Sequence, residues 1–251
     1  MTKEERREIA KQHTNEMRDL YDNEILNCVM RSDVYGLDDK KPQRKGVQAK
    51  PSFWFVNADA VTTAMVSRSK KKAILDFASY RNPGGNFLNG GQSQEASLCR
   101  ESFLYNVLSS MDSYYVRNNM FLNGHLYTDR AMYIPDVRFS RGICDVIVCA
   151  APNKTEALRN GESSDRNDNA LLSRIKFIRD IAEEHEVETL ILGAFGCEFG
   201  QNPSDVADAI HFAFHTTSVK NIVMAVPDEN AQSFRSKFKE VRLKGDRSES
   251  R

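Results

Sequence analysis

The sequence predicts an α/β protein in which a mostly parallel sheet lies between layers of helices. Short apolar runs without alternation, such as 189–194, indicate strands buried on both faces. These runs alternate with amphipathic segments, which is the order that produces parallel strands joined by helices. Hydrophobic residues make up 40% of the chain and charged residues 28%, a balance typical of globular proteins.

The individual elements follow from the periodicity and from the turn residues between them. The predicted strands are 52–57, 72–78, 131–135, 145–150, 189–194 and 221–226. The helices between and after them are 59–67, 95–111, 170–185, 204–215 and 229–241.

The N-terminal part of the chain is predicted to be separate from this alternation. Residues 3–31 have a loose apolar face, and Thr2 with Glu5 fits a capping box at the start of a helix. Residues 36–52 are polar and basic, as in a linker. We therefore expect a helical extension and linker over 1–50, one α/β domain over 51–243, and a disordered tail over 244–251.

Charge and hydropathy exclude several classes of protein. Lysine plus arginine and aspartate plus glutamate both total 35, whereas non-specific binding to a phosphate backbone needs a basic excess. No apolar run approaches the roughly 20 residues that span a bilayer, and the charged N-terminus is unlike a secretory signal. We expect a monomer of the cytoplasm, or of the nucleus in a eukaryote, with no membrane partner. Direct nucleic-acid binding is expected only to a modified substrate.

The cysteines predict a reducing environment. The sequence has five, an odd number, and no CxxC pair. Cys144, Cys149 and Cys197 lie in or beside apolar strand-like runs, so we expect reduced and mostly buried thiols. We expect neither a metal nor a cofactor.

Two glycine-rich loops follow predicted strands and lead into predicted helices. The first, 82–91, contains four glycines and three asparagines in ten residues, and the second covers 193–203. Loops at the carboxyl ends of parallel strands converge on one edge of the sheet, so we expect the two to face each other.

The composition of these loops is that of an anion-binding site. Glycine lets the backbone approach a ligand and adopt positive φ. Successive N–H groups and a helix N-terminus then bind phosphate oxygens without a cationic side chain. Neither loop has a Walker A or a GxGxxG pattern. Tight strand-to-helix turns also use glycine, proline and asparagine, so a structural role is the alternative for each loop.

The first loop and its surroundings resemble the microbial-type poly(ADP-ribose) glycohydrolases, a branch of the macrodomain superfamily. That family's signature is three glycines, six to eight residues, and Gln-Glu-Glu. This chain has Gly-Gly-Asn at 84–86, then seven residues, and Gln-Glu-Ala at 94–96. Further segments similar to the family are 75–78, 97–105, 126–129, 133–137, 150–153, 192–197 and 202–207.

The resemblance implies a macrodomain-like three-layer α/β/α sandwich with a mixed, largely parallel sheet and an N-terminal helical extension. It also implies that ADP-ribose binds in a cleft at the strand ends. The second loop would hold the diphosphate from one side. Asp59 would read the adenine amino group, with a helix N-cap as an equal alternative. The implied binding residues are Asp59, Asn82, Gly84, Gly85, Asn86, Gln94, Gly193, Ala194, Phe195, Gly196, Cys197 and Phe199.

The chain departs from the family pattern at two positions. Asn86 replaces the third glycine, and the tolerance of asparagine for unusual φ is expected to accommodate it. Ala96 replaces the second glutamate, which acts in catalysis in the family. Glycosidic cleavage needs a carboxylic acid that protonates the leaving oxygen and then activates water, and alanine can do neither.

Glu95 is the candidate catalytic residue, provided that the loop is shifted by one position. The alternative is that Glu95 complements the helix N-terminus, which would hold its pKa low. Asp129, Asp136 and Glu198 are other possible carboxylates, although each is more typical of a solvated or turn position.

Two functions therefore remain open. The favoured one is an ADP-ribosyl hydrolase of the poly(ADP-ribose) glycohydrolase type, which cleaves the O-glycosidic bond at C1 of the distal ribose. The alternative is a catalytically impaired reader of ADP-ribose, because of Ala96. In both cases the partner is ADP-ribose or an ADP-ribosylated macromolecule.

Overall fold

The fold is known from a computed structural model that describes residues 1–227 and 231–240. Its strands are β1 (Asp33–Tyr35), β2 (Ser52–Val56), β3 (Lys72–Phe77), β4 (Ala131–Phe139), β5 (Gly142–Cys149), β6 (Thr189–Leu192), β7 (Asn221–Ala225) and β8 (Lys239–Glu240). They form an eight-stranded sheet in the order β1-β4-β5-β3-β6-β7-β2-β8. β4 is antiparallel to both of its neighbours, and all the other pairings are parallel. The predicted mixed, largely parallel sheet is confirmed.

Helices cover both faces of this sheet. They are α1 (Lys3–Arg31), α2 (Ala60–Val66), α3 (Gln94–Arg100), α4 (Leu104–Leu108), α5 (Asp112–Met120), α6 (Lys154–Arg159), α7 (Ser164–Glu184), α8 (Pro203–Ala213) and α9 (Ala231–Arg235). Adjacent residues of β3 point to opposite faces. Leu75 shares a core with Ile178 of α7, whereas Ile74 shares the other core with Leu98 of α3 and Val107 of α4. The predicted three-layer sandwich is confirmed.

The N-terminal helix belongs to one of these layers. Its predicted capping box is present: the Thr2 hydroxyl accepts from the Glu5 N–H at 3.2 Å, and the Glu5 carboxylate accepts from the Thr2 N–H at 2.6 Å. Ala10 and Cys28 are buried in the core on that side of the sheet. The division at residue 50 stays a prediction, but α1 shares its core with the sheet.

The predicted helix over 95–111 is wrong, because the chain forms two helices there. Ser102 separates α3 from α4: its hydroxyl donates to the Leu98 carbonyl at 2.7 Å and accepts from the Leu104 N–H at 3.0 Å. A serine hydroxyl that bonds to nearby backbone competes with the helical hydrogen bonds. Ser102 also forms an isolated bridge to Phe139 of β4.

Other predicted elements are longer than expected, among them one strand and one helix. The strand predicted over 131–135 continues to Phe139, because a register shift between Ile134 and Val137 accommodates the proline in β4. The helix predicted over 170–185 begins earlier, at Ser164, after the N-cap Ser163.

At the C-terminus the predicted helix over 229–241 is largely replaced by other structure. α9 covers only Ala231–Arg235, and β8 then pairs in parallel with β2. Residues 228–230 and 241–251, including the predicted tail over 244–251, lie outside the described residues.

Three further observations concern the described part of the chain. None of its helices is both long and apolar enough to cross a membrane. No group of three or more histidine, cysteine, aspartate or glutamate side chains there is placed to hold a metal ion. The cysteine thiols are free, with Cys28, Cys99, Cys144 and Cys149 buried and Cys197 half-buried.

We expect Arg174→Met to lower the free energy of unfolding by about 2–3 kcal/mol. Arg174 of α7 is 1% exposed, its Nε donates to the Asp129 carboxylate at 2.8 Å, and its guanidinium also donates to the Ala150 carbonyl. Methionine keeps the apolar stem but leaves both acceptors without this donor. Urea unfolding measures the loss.

The matched control is Arg166→Met in the same helix. Arg166 is 60% exposed and pairs with Glu162, so its replacement is expected to cost less than about 1 kcal/mol. Equal losses for the two variants would contradict a structural role for the buried guanidinium.

Candidate active site

Two adjoining cavities lie at the carboxyl ends of the parallel strands. The first has a volume of about 380 Å³, and its lining includes Asn82, Gly85, Asn86, Glu95, Tyr127 and Phe199. The second has a volume of about 550 Å³, and its lining includes Asp59, Gln94, Ala194, Ala225 and Pro227. Phe77 and Gln92 line both, so the two cavities form one groove across the strand ends. Volumes of this size are typical of small-molecule sites.

A larger cavity, of about 840 Å³, lies at the opposite end of the sheet. Two of its lysines are already paired with acids: Lys71 lies 2.9 Å from Asp145, and Lys220 lies 2.6 Å from Glu188. Neither glycine-rich loop borders this cavity in the described part of the chain. The first and second cavities are therefore the candidate functional site.

The first glycine-rich loop needs its glycines for two different reasons. Gly84 and Gly85 have φ of +64° and +55°, which L side chains rarely adopt. A Cβ on Gly84 would lie 2.6 Å from the Tyr105 ring, whereas a Cβ on Gly85 would lie 2.9 Å from the Glu95 carboxylate. Gly84 thus allows packing beneath the loop, and Gly85 lets the backbone approach a carboxyl group of the cavity.

The second loop contributes to both cavities. Phe199 and Glu198 line the first cavity, and Ala194 lines the second. Phe195 is 1% exposed and packs on Phe77, with ring centroids 5.7 Å apart. The loop is therefore anchored in the core at Phe195, and residues on either side of Phe195 border the groove.

Glu95 presents a buried carboxyl group to the first cavity. Its side chain is 1% exposed, and Oε2 accepts a hydrogen bond from the Ser79 N–H at 2.8 Å. Oε1 is buried and has no hydrogen-bond partner among the described residues. One oxygen thus fixes the orientation of the carboxyl group, and the other is buried without a hydrogen bond from the described residues.

The pKa of Glu95 is opposite to the expectation from its place at a helix N-terminus. Burial, and next the Asp76 carboxylate, raise the pKa of Glu95 well above its ordinary value, although N–H donors from Ser79 and Gly84 act in the other direction. The expected low pKa is therefore wrong. Removal from water outweighs the helix dipole at this position.

Ala96 faces away from the groove. It is 0% exposed, packs in the core with Leu98 and Cys99, and lines neither cavity in the described structure. Its N–H donates to the hydroxyl of the N-cap Ser93 at 3.3 Å. At the start of α3, the residue that faces the first cavity is therefore position 95.

Comparison with known families settles where this chain belongs. A sequence model described as "Microbial-type PARG, catalytic domain" matches residues 4–142, which is more than half of the chain. The chain belongs to the microbial-type PARG family. PARG denotes poly(ADP-ribose) glycohydrolase, the family that the motifs of the first loop resemble. A search of curated proteins gave no match.

Solved PARG structures share the fold. The enzyme from Thermomonospora curvata is 23% identical, with 94% of this chain and 100% of that chain covered and a TM-score of 0.80. The enzyme from Deinococcus radiodurans in complex with ADP-ribose is 24% identical, with coverage of 85% and 96% and a TM-score of 0.70. A T. curvata complex with the inhibitor ADP-HPD gives a TM-score of 0.78. At these identities the likeness shows the fold alone.

The structure brings together only part of the residue set that the PARG resemblance implied. Members that line one of the two cavities are Asp59, Asn82, Gly85, Asn86, Gln94, Glu95, Ala194 and Phe199. Members that line neither cavity in the described structure are Gly84, Gly193, Phe195, Gly196 and Cys197. Residues of the second set pack against the core instead of the cavities. Gly193, for example, lies so close to the Phe77 ring that a Cβ there would be 2.8 Å from it.

Asn86 fits the PARG loop without strain. Its φ is −106°, an ordinary value, so the tolerance of asparagine for unusual φ is not what accommodates it. A Cβ on Gly91 would lie 2.9 Å from the Asn86 Cβ. The asparagine side chain is therefore accommodated because the glycine opposite leaves room for it.

Gln94, the first residue of the motif at 94–96, is hydrogen-bonded to the backbone of β3. Its Oε1 accepts from the Phe77 N–H at 2.9 Å, and its Nε2 donates to the Leu75 carbonyl at 3.0 Å. Pairing between β3 and β6 ends at Ile74, so the amide continues the ladder beyond it. This contact fixes α3 to the strand, and a ligand contact by Gln94 stays a prediction.

Asp59 is the N-cap of α2. Its two carboxylate oxygens accept from the Thr62 N–H and the Thr62 hydroxyl, each at 2.7 Å. The N-cap interpretation is confirmed. Because Asp59 also lines the second cavity, contact with a ligand stays a prediction.

Sequence reasoning missed several residues at or near the site, and two of them bear on its chemistry. Tyr127 lines the first cavity, has φ of +60°, and stacks on Tyr80 with ring centroids 4.1 Å apart. The other is Asp76, which is 0% exposed and, after burial, contributes to the raised pKa of Glu95. A charged residue inside the apolar run 73–78 was the available signal for Asp76. For Tyr127, only the family-like segment 126–129 pointed to its place in the site.

We expect Gly85→Ala to be more destabilising than Gly161→Ala. Both glycines have positive φ, +55° and +86°, but a Cβ on Gly161 meets nothing within 4 Å. The unfavourable φ costs about 1–2 kcal/mol at either position, and overpacking against Glu95 adds about 1–3 kcal/mol at Gly85 alone. Urea unfolding compares the two, and equal costs would contradict the close approach to Glu95.

Proposed function

We propose that this protein binds ADP-ribose across the two cavities and hydrolyses the glycosidic bond at C1 of the distal ribose. The activity is that of a glycohydrolase of the PARG type. The observation that carries the proposal is the carboxyl group of Glu95, which is buried, partly unpartnered, and faces the cavity between two glycine-rich loops. The complex of the D. radiodurans PARG with ADP-ribose supports the choice of ligand.

The groove suits the successive parts of ADP-ribose. Adenosine would occupy the second cavity near Asp59, and the distal ribose would occupy the first cavity near Glu95 and Phe199. The diphosphate would lie between them, where the glycine loops offer backbone N–H groups. Because such donors need no cationic side chain, a chain with 35 basic and 35 acidic residues can still bind this anion.

Glu95 would act first as an acid and then as a base. Burial and the Asp76 carboxylate raise its pKa well above the ordinary value and so favour the protonated form, and that proton would pass to the leaving oxygen as the C1–O bond breaks. The resulting carboxylate then accepts a proton from water, whose oxygen bonds to C1. The Ser79 N–H orients this carboxyl group through its hydrogen bond to Oε2.

The cellular setting is also part of the proposal. We infer a monomer that acts on ADP-ribosylated macromolecules in the cytoplasm, or in the nucleus of a eukaryote. The free thiols support a reducing compartment. Equal numbers of basic and acidic residues argue against general affinity for nucleic acid.

A second candidate function is a reader that binds ADP-ribose without cleaving it. One observation favours it: Ala96 takes the place of the glutamate that the family signature has there. The two candidates predict the same ligand and differ only in turnover.

Glu95→Gln is expected to lower the rate of ADP-ribose release by about 10²–10⁴-fold, because the amide cannot donate the proton. The substrates are ADP-ribosylated protein and poly(ADP-ribose). Affinity for ADP-ribose, measured by calorimetry, is expected to remain. Glu101→Gln, at the other end of α3 and outside both cavities, serves as the control with an unchanged rate. Wild-type binding without release would establish the reader, and no binding would overturn both candidates.

Ala96→Glu also distinguishes the hydrolase from the reader, because it adds the carboxyl group that the family signature has at this position. Ala96 is fully buried in the core, so a new carboxyl group there is expected to destabilise the protein without raising release by more than about tenfold. Ala96→Gln, of similar size and uncharged, is the control for burial. A large gain of hydrolysis in Ala96→Glu alone would favour the reader as the native function.

A further inference from the structure

Arg81 lies at the rim of the first cavity, between the end of β3 and the first glycine-rich loop. It is the one basic residue among the described residues that line either cavity of the groove. Arg81 is exposed, and no acidic side chain of the described residues forms a salt bridge with it. Its positive charge is therefore available to an anion at this rim.

Two consecutive asparagines of α5 hold Arg81 in place. The Asn119 Oδ1 accepts from the Arg81 Nε at 2.8 Å, and the Asn119 Nδ2 donates to the Arg81 carbonyl at 3.0 Å. Asn118 is 0% exposed, and its Nδ2 donates to the carbonyl of Tyr80 at 2.9 Å. The bond to Asn119 uses one of the five N–H donors of the guanidinium. The group is therefore oriented and still has donors for a ligand.

Tyr127 provides an aromatic wall beside Arg81. Its ring is stacked on Tyr80, with planes 10° apart. Burial raises the pKa of Tyr127, whereas the Asn153 side chain and the charge of Arg81 act against it, so the guanidinium is close to this ring. The φ of +60° is rare for a bulky residue and persists only where the surroundings hold it. One such contact is the Asn123 Nδ2, which donates to the Tyr127 carbonyl at 3.0 Å.

The leaving group would pass this rim when ADP-ribose occupies the groove in the proposed orientation. Adenosine would lie in the second cavity, and the distal ribose would enter the first cavity from its C5 side. Because C1 lies on the other side of the ring oxygen, the group bonded to C1 would continue away from the second cavity. Arg81 and Tyr127 line the first cavity and not the second, so they border this path.

We propose that Arg81 is a specificity-determining residue that binds a phosphate of a nucleotide leaving group, with Tyr127 as the aromatic surface for its base. The substrate is then poly(ADP-ribose), in which C1 of the distal ribose is bonded to the 2′-oxygen of the next adenosine. A single ADP-ribose on a protein side chain has no such nucleotide. This inference rests on the ligand and the orientation proposed above.

The combination of the two side chains favours a nucleotide over other anions. A guanidinium forms strong, charge-assisted hydrogen bonds with phosphate oxygens, and any base can stack on an aromatic ring. An acidic peptide would use Arg81 but not the ring. The other ionisable side chains of acids that line the first cavity, Glu95 and Glu198, offer an anion no attraction. The phosphate is therefore expected at Arg81.

The test measures binding in the Glu95→Gln background, in which the ligand is expected to stay uncleaved. By calorimetry, a dimer of ADP-ribose is expected to bind about tenfold more tightly than ADP-ribose, and Arg81→Met is expected to bring this ratio close to one. The ratio should also fall as salt is added, because an exposed charge is screened. Equal losses of affinity for the two ligands would overturn the proposal, since Arg81 would then hold ADP-ribose itself.

Two further variants make the test specific. Arg117→Met is the matched control, because Arg117 of α5 pairs with Asp38 and lines neither cavity in the described structure; the ratio is expected to stay near ten. Tyr127→Leu is expected to lower the ratio as well, through lost stacking. A ratio that depends on Arg81 but not on Tyr127 would overturn the nucleotide and indicate an anion without a base.

The same measurements keep this inference apart from the proposed function. Failure of both ligands to bind would overturn the proposed function. Binding of ADP-ribose with no preference for the dimer would overturn only the role of Arg81. A wild type that prefers the dimer through Arg81 but releases no ADP-ribose from it would overturn hydrolysis and support recognition of the nucleotide.

Discussion

The parallel pairing of β3 with β6 is the constraint on which the site depends. The two strands are hydrogen-bonded neighbours, with Ile74 opposite Ile191, so the loops that follow them leave the same edge of the sheet side by side. Where this pairing ends, the Gln94 amide takes over the hydrogen bonds of β3. The start of α3 is thereby fixed to the strand, and Glu95 is held at the cavity between the loops.

The sequence predicted the central strands well, because a strand buried on both faces leaves an uninterrupted apolar run. It could not predict β1 and β8, which are short edge strands stabilised by their partners rather than by their own pattern. It also missed the break at Ser102, since the competing hydrogen bonds of a serine hydroxyl depend on the carbonyls and N–H groups that tertiary structure places within reach.

The residues of the candidate site, like the strands and helices, were predicted only in part. Glycine and asparagine density marked both loops, and the motif at 94–96 led to Glu95. The pattern could not give the direction in which each side chain points, which is why Phe195 was predicted to bind a ligand although it lies in the core. Nor could it give the pKa of Glu95, because burial and the charge of Asp76 arise only when α3 packs on β3.

The raised pKa of Glu95 bears on the binding of an anionic ligand as well as on proton transfer. If the groove binds a diphosphate through backbone dipoles, as proposed, an ionised carboxylate at position 95 would weaken that binding by charge repulsion. A Glu95 that keeps its proton avoids this cost and is at the same time in the form that can donate to a leaving oxygen. Burial beneath the first loop and a second carboxyl group at Asp76 both act in that direction. On the proposed function, the burial of Glu95 would therefore favour both the binding of an anion and the donation of a proton, from position 95 rather than from position 96.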